Sequence, residues 1–231
     1  MAEIEEFFKS AFSVDNVIFG FDQVDLKVIL IRRGASPFKD KWALPGDLVY
    51  PNEDLDVAAA RVLAELVDLR GVYLEQVQAF GAVDRHPLGR VITVAYYSLI
   101  KIQDDVLHAS SWAEVARWHS IQDALELDLA FDHRTILEAC FERLQRRVKT
   151  QPVGFELLPV AFTLTELQQL YEAILGVPMD KRNFRKKILA MNILVDLNRL
   201  QEGVAHRPAK LYQFDPDRYE ALTKDGFTFQ I

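Results

Sequence analysis

Apolar positions recur at two different periods along this chain, and the switches between them outline its elements. The first dozen residues space their apolar side chains as a short amphipathic helix, after which residues 14–21 and 26–33 read as paired strands around a turn at 22–25. The run LKVILI is apolar on both sides, which predicts a strand covered on both faces. A loop at 37–41 leads into Trp42-Ala43-Leu44, and a helix follows from about Asp54, an acidic N-cap, with Ala58, Ala59 and Ala60 favouring helix and close packing. Residues 72–83 and 91–101 predict a long hairpin around DRHPLGR, and residues 114–118 a strand running into a short helix capped by Ser120. The period then returns to helix over 132–149, with Ile136, Leu137, Cys140 and Leu144 facing inward and cations gathered near its end. QPVGFELLP breaks the pattern, placing a domain boundary there, with residues 1–150 on one side and 151–231 on the other.

Beyond the break, Thr163 and Glu166 stand at capping-box spacing and open a helix to about Leu175, which Gly176 ends. A turn through Pro178 leads to a second helix capped by Asp180, with Phe184, Ile188 and Met191 on its buried face. Helix, glycine-containing turn and basic helix are the outline of a helix-turn-helix. Residues 193–197 and 209–214 read as two strands around a polar loop carrying His206, Arg207 and Lys210, which would be a wing.

Charge sharpens this picture. The net charge is −7, yet residues 1–150 hold 17 basic against 24 acidic side chains while the remainder is balanced at 10 of each. Within the balanced part, residues 181–210 hold eight basic against two acidic side chains, the footprint of a polyanion partner. A basic run is usually a solvated face, but here Lys181, Arg182, Asn183, Arg185, Lys186 and Lys187 lie on the second helix of a helix-turn-helix outline, with Arg207 and Lys210 in the wing. These residues are the candidates for double-stranded DNA. The single cysteine, Cys140, reads as a buried thiol, and the histidines lack metal-ligand spacing. No apolar run approaches a membrane span and the acidic start is not a signal peptide, so a cytoplasmic protein is expected, without cofactor or bound metal.

Residues 44–69, LPGDLVYPNEDLDVAAARVLAELVDL, resemble the Nudix box, the loop–helix–loop signature G-x5-E-x7-R-E-U-x-E-E-x-G-U of enzymes that hydrolyse nucleoside diphosphates linked to another group. Aligned on Glu53 and Arg61, the aliphatic position falls on Leu63 and one glutamate on Glu65. The first box glycine is Asp47, with Gly46 one residue earlier; two glutamates are Val62 and Leu66; the last glycine is Asp68. Positions 62, 65 and 66 share a helix face, where three carboxylates would hold a divalent cation. With two of them apolar, the expectation is a scaffold that binds a ligand without hydrolysing it, Glu53 and Arg61 bracing the loop as in the family.

The degenerate box together with AFTLTELQQLYEAILGVPMDKRNFRKKI and RPAKLYQF resembles the Nudix-related transcriptional regulators, over nearly the whole chain. The resemblance implies an α/β (α+β) fold, a Nudix-like mixed sheet between helices followed by a winged helix-turn-helix. It also implies a homodimer on a palindromic operator, released or repositioned by a small effector. QAFGAVDRHP, VAYYSLI and GVPMDKRNFRKK look closest to the branch responding to L-arabinose rather than the one sensing ADP-ribose. Candidate effector contacts are Arg32, Trp42, Glu53, Asp84, Arg85, Arg90 and Tyr97, and Arg33 joins the cations that could serve a diphosphate. The helix over 132–149 is the expected link between effector and DNA. The competing reading is an active Nudix hydrolase acting on ADP-ribose or a related nucleoside diphosphate derivative; the missing glutamates and the tail speak against it.

Overall fold

The computed structural model describes residues 10–102, 109, 112–203 and 207–231. The N-terminal helix expectation and His206 therefore lie outside the described residues, except that residues 11 and 12 already belong to a strand.

In the first part of the chain a seven-stranded sheet is assembled from β1 (Ala11–Phe21), β2 (Leu26–Arg33), β3 (Trp42–Ala43), β4 (Gly46–Leu48), β5 (Glu75–Phe80), β6 (Val91–Lys101) and β7 (Ala113–Ser120). The order is β3-β2-β1-β6-β5, with β4 pairing β1 and β7 pairing β2. β1 and β2 are buried on both faces, as LKVILI requires, because helices cover the sheet on each side. On one face Val14, Ile18, Ile29, Ile31, Val94 and Tyr96 pack with Ala58, Ala59, Val62, Leu63 and Leu66 of α1 (Leu55–Val67). On the other, Asp15 and Phe19 of β1 meet His133 and Phe141 of a long helix that follows the short α2 (Ile121–Glu126). This long helix, α3 (His133–Thr150), buries Ile136, Leu137, Cys140 and Leu144 completely. Burial pushes the Cys140 thiol up to about 12, so it is an inert core group. Ser120 caps α2 by accepting from the Asp123 amide, whereas Asp54 stands at the N-cap of α1 without a side-chain bond.

Two compact units divide the chain: residues up to Gly20 with 27–143, and residues 21–26 with 144–231. In the second, a 3-10 turn at Pro152–Leu157 precedes α4 (Leu164–Leu175) and α5 (Lys181–Ala190). Thr163 Oγ1 accepts from Glu166 N at 3.1 Å while Glu166 Oε2 accepts from Thr163 N at 2.6 Å, closing the capping box. Gly176 ends α4 at φ 69, a left-handed position that a side chain would strain. Glu172 Oε1 then fixes the turn by accepting from Met179 N at 2.7 Å and Gln168 Nε2 at 3.0 Å. Asp180 caps α5 through the Asn183 amide, and Phe184 packs against Tyr171. β8 (Leu194–Leu200) and β9 (Lys210–Phe214) form the antiparallel wing, and Phe162 adds a bridge to Tyr212. Sequence patterning did not anticipate α6 (Pro216–Lys224), although its signal was present: Asp215 as N-cap and Pro216 at the first helical position.

Candidate ligand cavity and nucleic-acid interface

A cavity of about 520 Å3 opens between the end of β2, the β4 strand, the DRHPLGR loop and the start of α3. Its floor is Asp15, a carboxylate set in the buried strand AFSVDNVIFGF. Gly46 makes that possible: it pairs with Asp15 across β1 and β4, and a Cβ there would stand 2.0 Å from Asp15 Oδ1. Thr93 Oγ1 donates to Asp15 Oδ2 at 2.7 Å, the Arg85 guanidinium lies 3.5 Å from the same oxygen, and His133 Nε2 is 3.3 Å from Oδ1. His133 Nδ1 accepts from the Leu44 amide at 2.9 Å, so the ring proton is on Nε2, aimed at Asp15. Arg85 also grips Asp132 through two bonds of 2.7 and 2.9 Å.

Burial alone would raise the Asp15 carboxyl. The neighbouring imidazole of His133, its hydrogen bond, the Thr93 hydroxyl and the Arg85 charge together outweigh burial and hold it below the ordinary range. A depressed carboxyl contributes stability above its unfolded pKa and loses that contribution as pH falls through the folded value. The Tm advantage of wild type over Asp15→Asn should therefore be steady from neutrality to about pH 5 and shrink below about pH 4. An advantage unchanged at about pH 3 would show that the carboxylate charge is not what the network uses.

Three guanidiniums line the cavity, those of Arg33, Arg85 and Arg90. Arg90 donates to the carbonyls of Gly81 and Ala82 at 2.6 and 3.1 Å, which ties the hairpin loop to its own base. Arg33 lies between the Trp112 and Phe131 rings, and His86 stacks on Phe131 at 5.1 Å. His86 is held below its ordinary pKa by burial and then by Arg85 and Arg33.

Of the residues expected to contact effector, Arg85 and Arg90 line the cavity; the other five lie elsewhere. Arg32 faces away from Arg33, as alternation along a strand demands, and pairs with Asp40 at 2.9 Å. Trp42 packs edge-on against His119. Asp84 is exposed. Tyr97 is buried beside Phe19 with its hydroxyl 3.3 Å from Glu75, and burial raises it to about 12. Glu53 serves as the brace: Arg61 donates to its two oxygens at 2.6 and 2.9 Å and to the Leu48 carbonyl at 2.8 Å, and Glu53 accepts from the Tyr50 amide. Trp112 packs against the core cluster and also forms a wall of the cavity. Val62 and Leu66 are fully buried in the core, while Glu65 is 44% exposed and pairs with Arg61 at 3.1 Å. Among the described residues no cluster of three or more His, Cys, Asp or Glu side chains is arranged to hold a metal.

In the second unit α5 turns Phe184 and Ile188 inward and presents Arg182, Asn183, Lys186 and Lys187 on the opposite, exposed face, with Lys181 exposed at its start. Arg185 departs from the expectation for a free base-reading residue: it is half-buried and donates to Thr165 Oγ1 on α4 at 3.0 Å. In the wing Arg207 is exposed, and Lys210 pairs with Asp196 at 2.7 Å, which raises the lysine and lowers the aspartate.

A braced Nudix loop and helix on the sheet, followed by a winged helix-turn-helix with an exposed cationic face, define a two-domain regulator architecture. The chain belongs to the Nudix family in its NrtR form: residues 9–140 match the NUDIX domain and residues 154–214 the NrtR DNA-binding winged helix domain. The ADPR responsive transcriptional repressor NtrR of Acinetobacter baylyi is 37% identical over 90% of this chain and 83% of its own length. The crystal structure of Shewanella oneidensis NrtR complexed with a 27mer DNA matches with a TM-score of 0.74 and 30% identity, covering 94% of this chain and 97% of that one. The NUDIX domain of the same protein, in complex with ADP ribose, matches at 0.54 and 32% identity over 62% of this chain and 99% of that one. None of these relatives is named for a pentose, and the L-arabinose assignment finds no support among them. No described helix is long and apolar enough to cross a membrane.

Proposed function

We propose that this chain is a transcriptional repressor that binds operator DNA through α5 and the wing and responds to ADP-ribose held in the Nudix-domain cavity. The observation that carries the reading is the cavity itself: arginines and aromatic rings surround a space large enough for a nucleotide-sized ligand, in a relative of an ADPR responsive repressor. A diphosphate needs such cations, whereas a neutral pentose would not. We also propose that the domain does not hydrolyse its ligand, because the helix face that would carry the metal ligands is occupied by core residues Val62 and Leu66. The regulator acts as a homodimer on an inverted repeat, as two-fold symmetry of paired reading helices requires.

His133 begins α3 inside the cavity wall, so a ligand that displaces its partners acts on the first turn of a helix continuing to Thr150. Titrating ADP-ribose with and without operator tests this reading. If ADP-ribose weakens operator binding, operator must weaken ADP-ribose binding by the same factor. Identical affinities in both titrations would rule out the switch, and failure of calorimetry to detect ADP-ribose where L-arabinose binds would rule out the effector.

A further inference from the structure

A second buried cation of the cavity, Arg33, is held in place without a direct ion pair. Arg33 is 8% exposed. Its guanidinium carbon lies 4.5 Å from the centre of the Trp112 ring and 4.9 Å from that of Phe131, and Nε donates to the Pro37 carbonyl at 2.8 Å. These contacts fix its plane and use one of its five N–H donors. The carboxylates nearby are engaged elsewhere. Asp15 is shared by Thr93, Arg85 and His133, while Asp47 accepts from the Leu48 amide at 2.7 Å and from Trp112 Nε1 at 3.3 Å. Among the described residues nothing accepts from the terminal nitrogens of Arg33, which burial pushes below its ordinary pKa. A buried guanidinium without a direct ion pair is costly, and the cation–π contacts together with the more distant charges of Asp47 and Asp15 offset only part of that cost.

The clamp is itself constructed at some expense. Gly34 N donates to the Trp112 carbonyl at 2.9 Å, and a Cβ at Gly34 would lie 2.9 Å from that same oxygen, so glycine is what lets β2 draw Trp112 over Arg33. Phe131 sits at φ 53, a left-handed backbone that a bulky aromatic residue rarely adopts. Such outliers persist where surrounding structure enforces them and cluster at ligand clamps. Arg85 differs, since its Nε and Nη2 already hold Asp132 and the same Nη2 lies 3.5 Å from Asp15, so it is neutralised within the protein.

We propose that Arg33 is the anion-recognising residue of the cavity, its clamped guanidinium donating both terminal nitrogens to one phosphate of a nucleoside diphosphate ligand. The ligand supplies the acceptor that a buried ion pair would otherwise contain. This rests on the ADP-ribose reading, and the experiment separates the two. Calorimetry of the full chain with ADP-ribose and with inorganic pyrophosphate compares wild type with Arg33→Met, which keeps an apolar filling between the rings, and Arg33→Lys, which keeps a charge without the planar fork. Arg33→Met should weaken both ligands by about 100-fold, the value of two charge-assisted hydrogen bonds, with Arg33→Lys intermediate. The Tm of Arg33→Met without ligand should be equal to or above that of wild type, because an unpaired buried charge has been removed; an arginine with a merely structural role would lower it. Undiminished ADP-ribose affinity in Arg33→Lys and Arg33→Met, or in Arg33→Lys alone should Arg33→Met not fold, would overturn the assignment of Arg33 and leave the effector intact. Pyrophosphate binding that depends on Arg33, without binding of ADP-ribose, would retain the assignment and overturn the effector. Binding of neither ligand by wild type would overturn both.

Discussion

Alanine at Arg182 and Lys186 together should abolish recognition of the operator at physiological salt. The two side chains stand four residues apart on one exposed face of α5, directly opposite the buried Phe184 and Ile188, with Asn183 and Lys187 completing the strip. A helix seated in the major groove presents such a strip to base edges and flanking phosphates. Each contact is worth about 1–3 kcal/mol, so the pair should cost about 30- to 20,000-fold in affinity if the contributions add. Arg185→Ala is the informative control. Its guanidinium is spent on Thr165, so its removal should loosen α5 on α4 and lower Tm while leaving the ratio of specific to non-specific binding nearly unchanged. Arg207→Ala in the wing should weaken all sequences alike and flatten the salt dependence, as expected for a phosphate contact. Fluorescence anisotropy against operator selected from random DNA, and against scrambled DNA, reads all three. Full operator affinity in the Arg182→Ala/Lys186→Ala double variant would remove α5 from the interface.

Local signals carried most of the architecture. The capping box at Thr163 and Glu166, the cap at Asp180, the left-handed Gly176 and the two-sided apolar run of β2 all lie in contiguous residues, and the structure places those elements within a few positions of expectation. The brace between Glu53 and Arg61 was readable for the same reason, being set by one loop and one helix. The ligand cavity was not, because it joins residues far apart in sequence: Asp15, Arg33, Arg85, Trp112, Phe131 and His133 are brought together by strand pairing, by the DRHPLGR loop and by the start of α3. Strand alternation separates Arg33 from Arg32, so a one-residue difference decides which arginine enters the cavity and which pairs with Asp40 at the surface. The most available missed clue was Asp15, the charged residue of a strand buried on both faces, since carboxylates are almost never fully buried unless paired. Trp112 combines two roles that sequence alone does not separate: it packs against the core cluster and holds Arg33 against its ring as a wall of the cavity.

Restoring the two glutamates of the Nudix signature should unfold the domain rather than create an enzyme. Val62 and Leu66 are 0% and 1% exposed and belong to the cluster that joins α1 to the sheet, so Val62→Glu and Leu66→Glu together would bury two carboxyls among Val14, Ile18, Ile29 and Ile31. Polar groups buried without partners cost about 1–3 kcal/mol each and ionised ones far more, against a total stability of about 5–15 kcal/mol. Desolvation raises the pKa of such carboxyls, so whatever fold the variant keeps should be present at low pH, with the carboxyls neutral, and lost as pH rises through their elevated values. This is the reverse of the dependence expected from Asp15, whose lowered pKa makes its contribution vanish on acidification. Near-ultraviolet circular dichroism from about pH 5 to 8 should show native packing fading upward in the double variant and constant in wild type. Wild type with Mg2+ or Mn2+ should give no turnover of ADP-ribose. A double variant that is folded at neutral pH and hydrolyses ADP-ribose with either metal would mean that this face can still accommodate a metal site, and the non-catalytic reading would then rest on two substitutions rather than on the packing of the core.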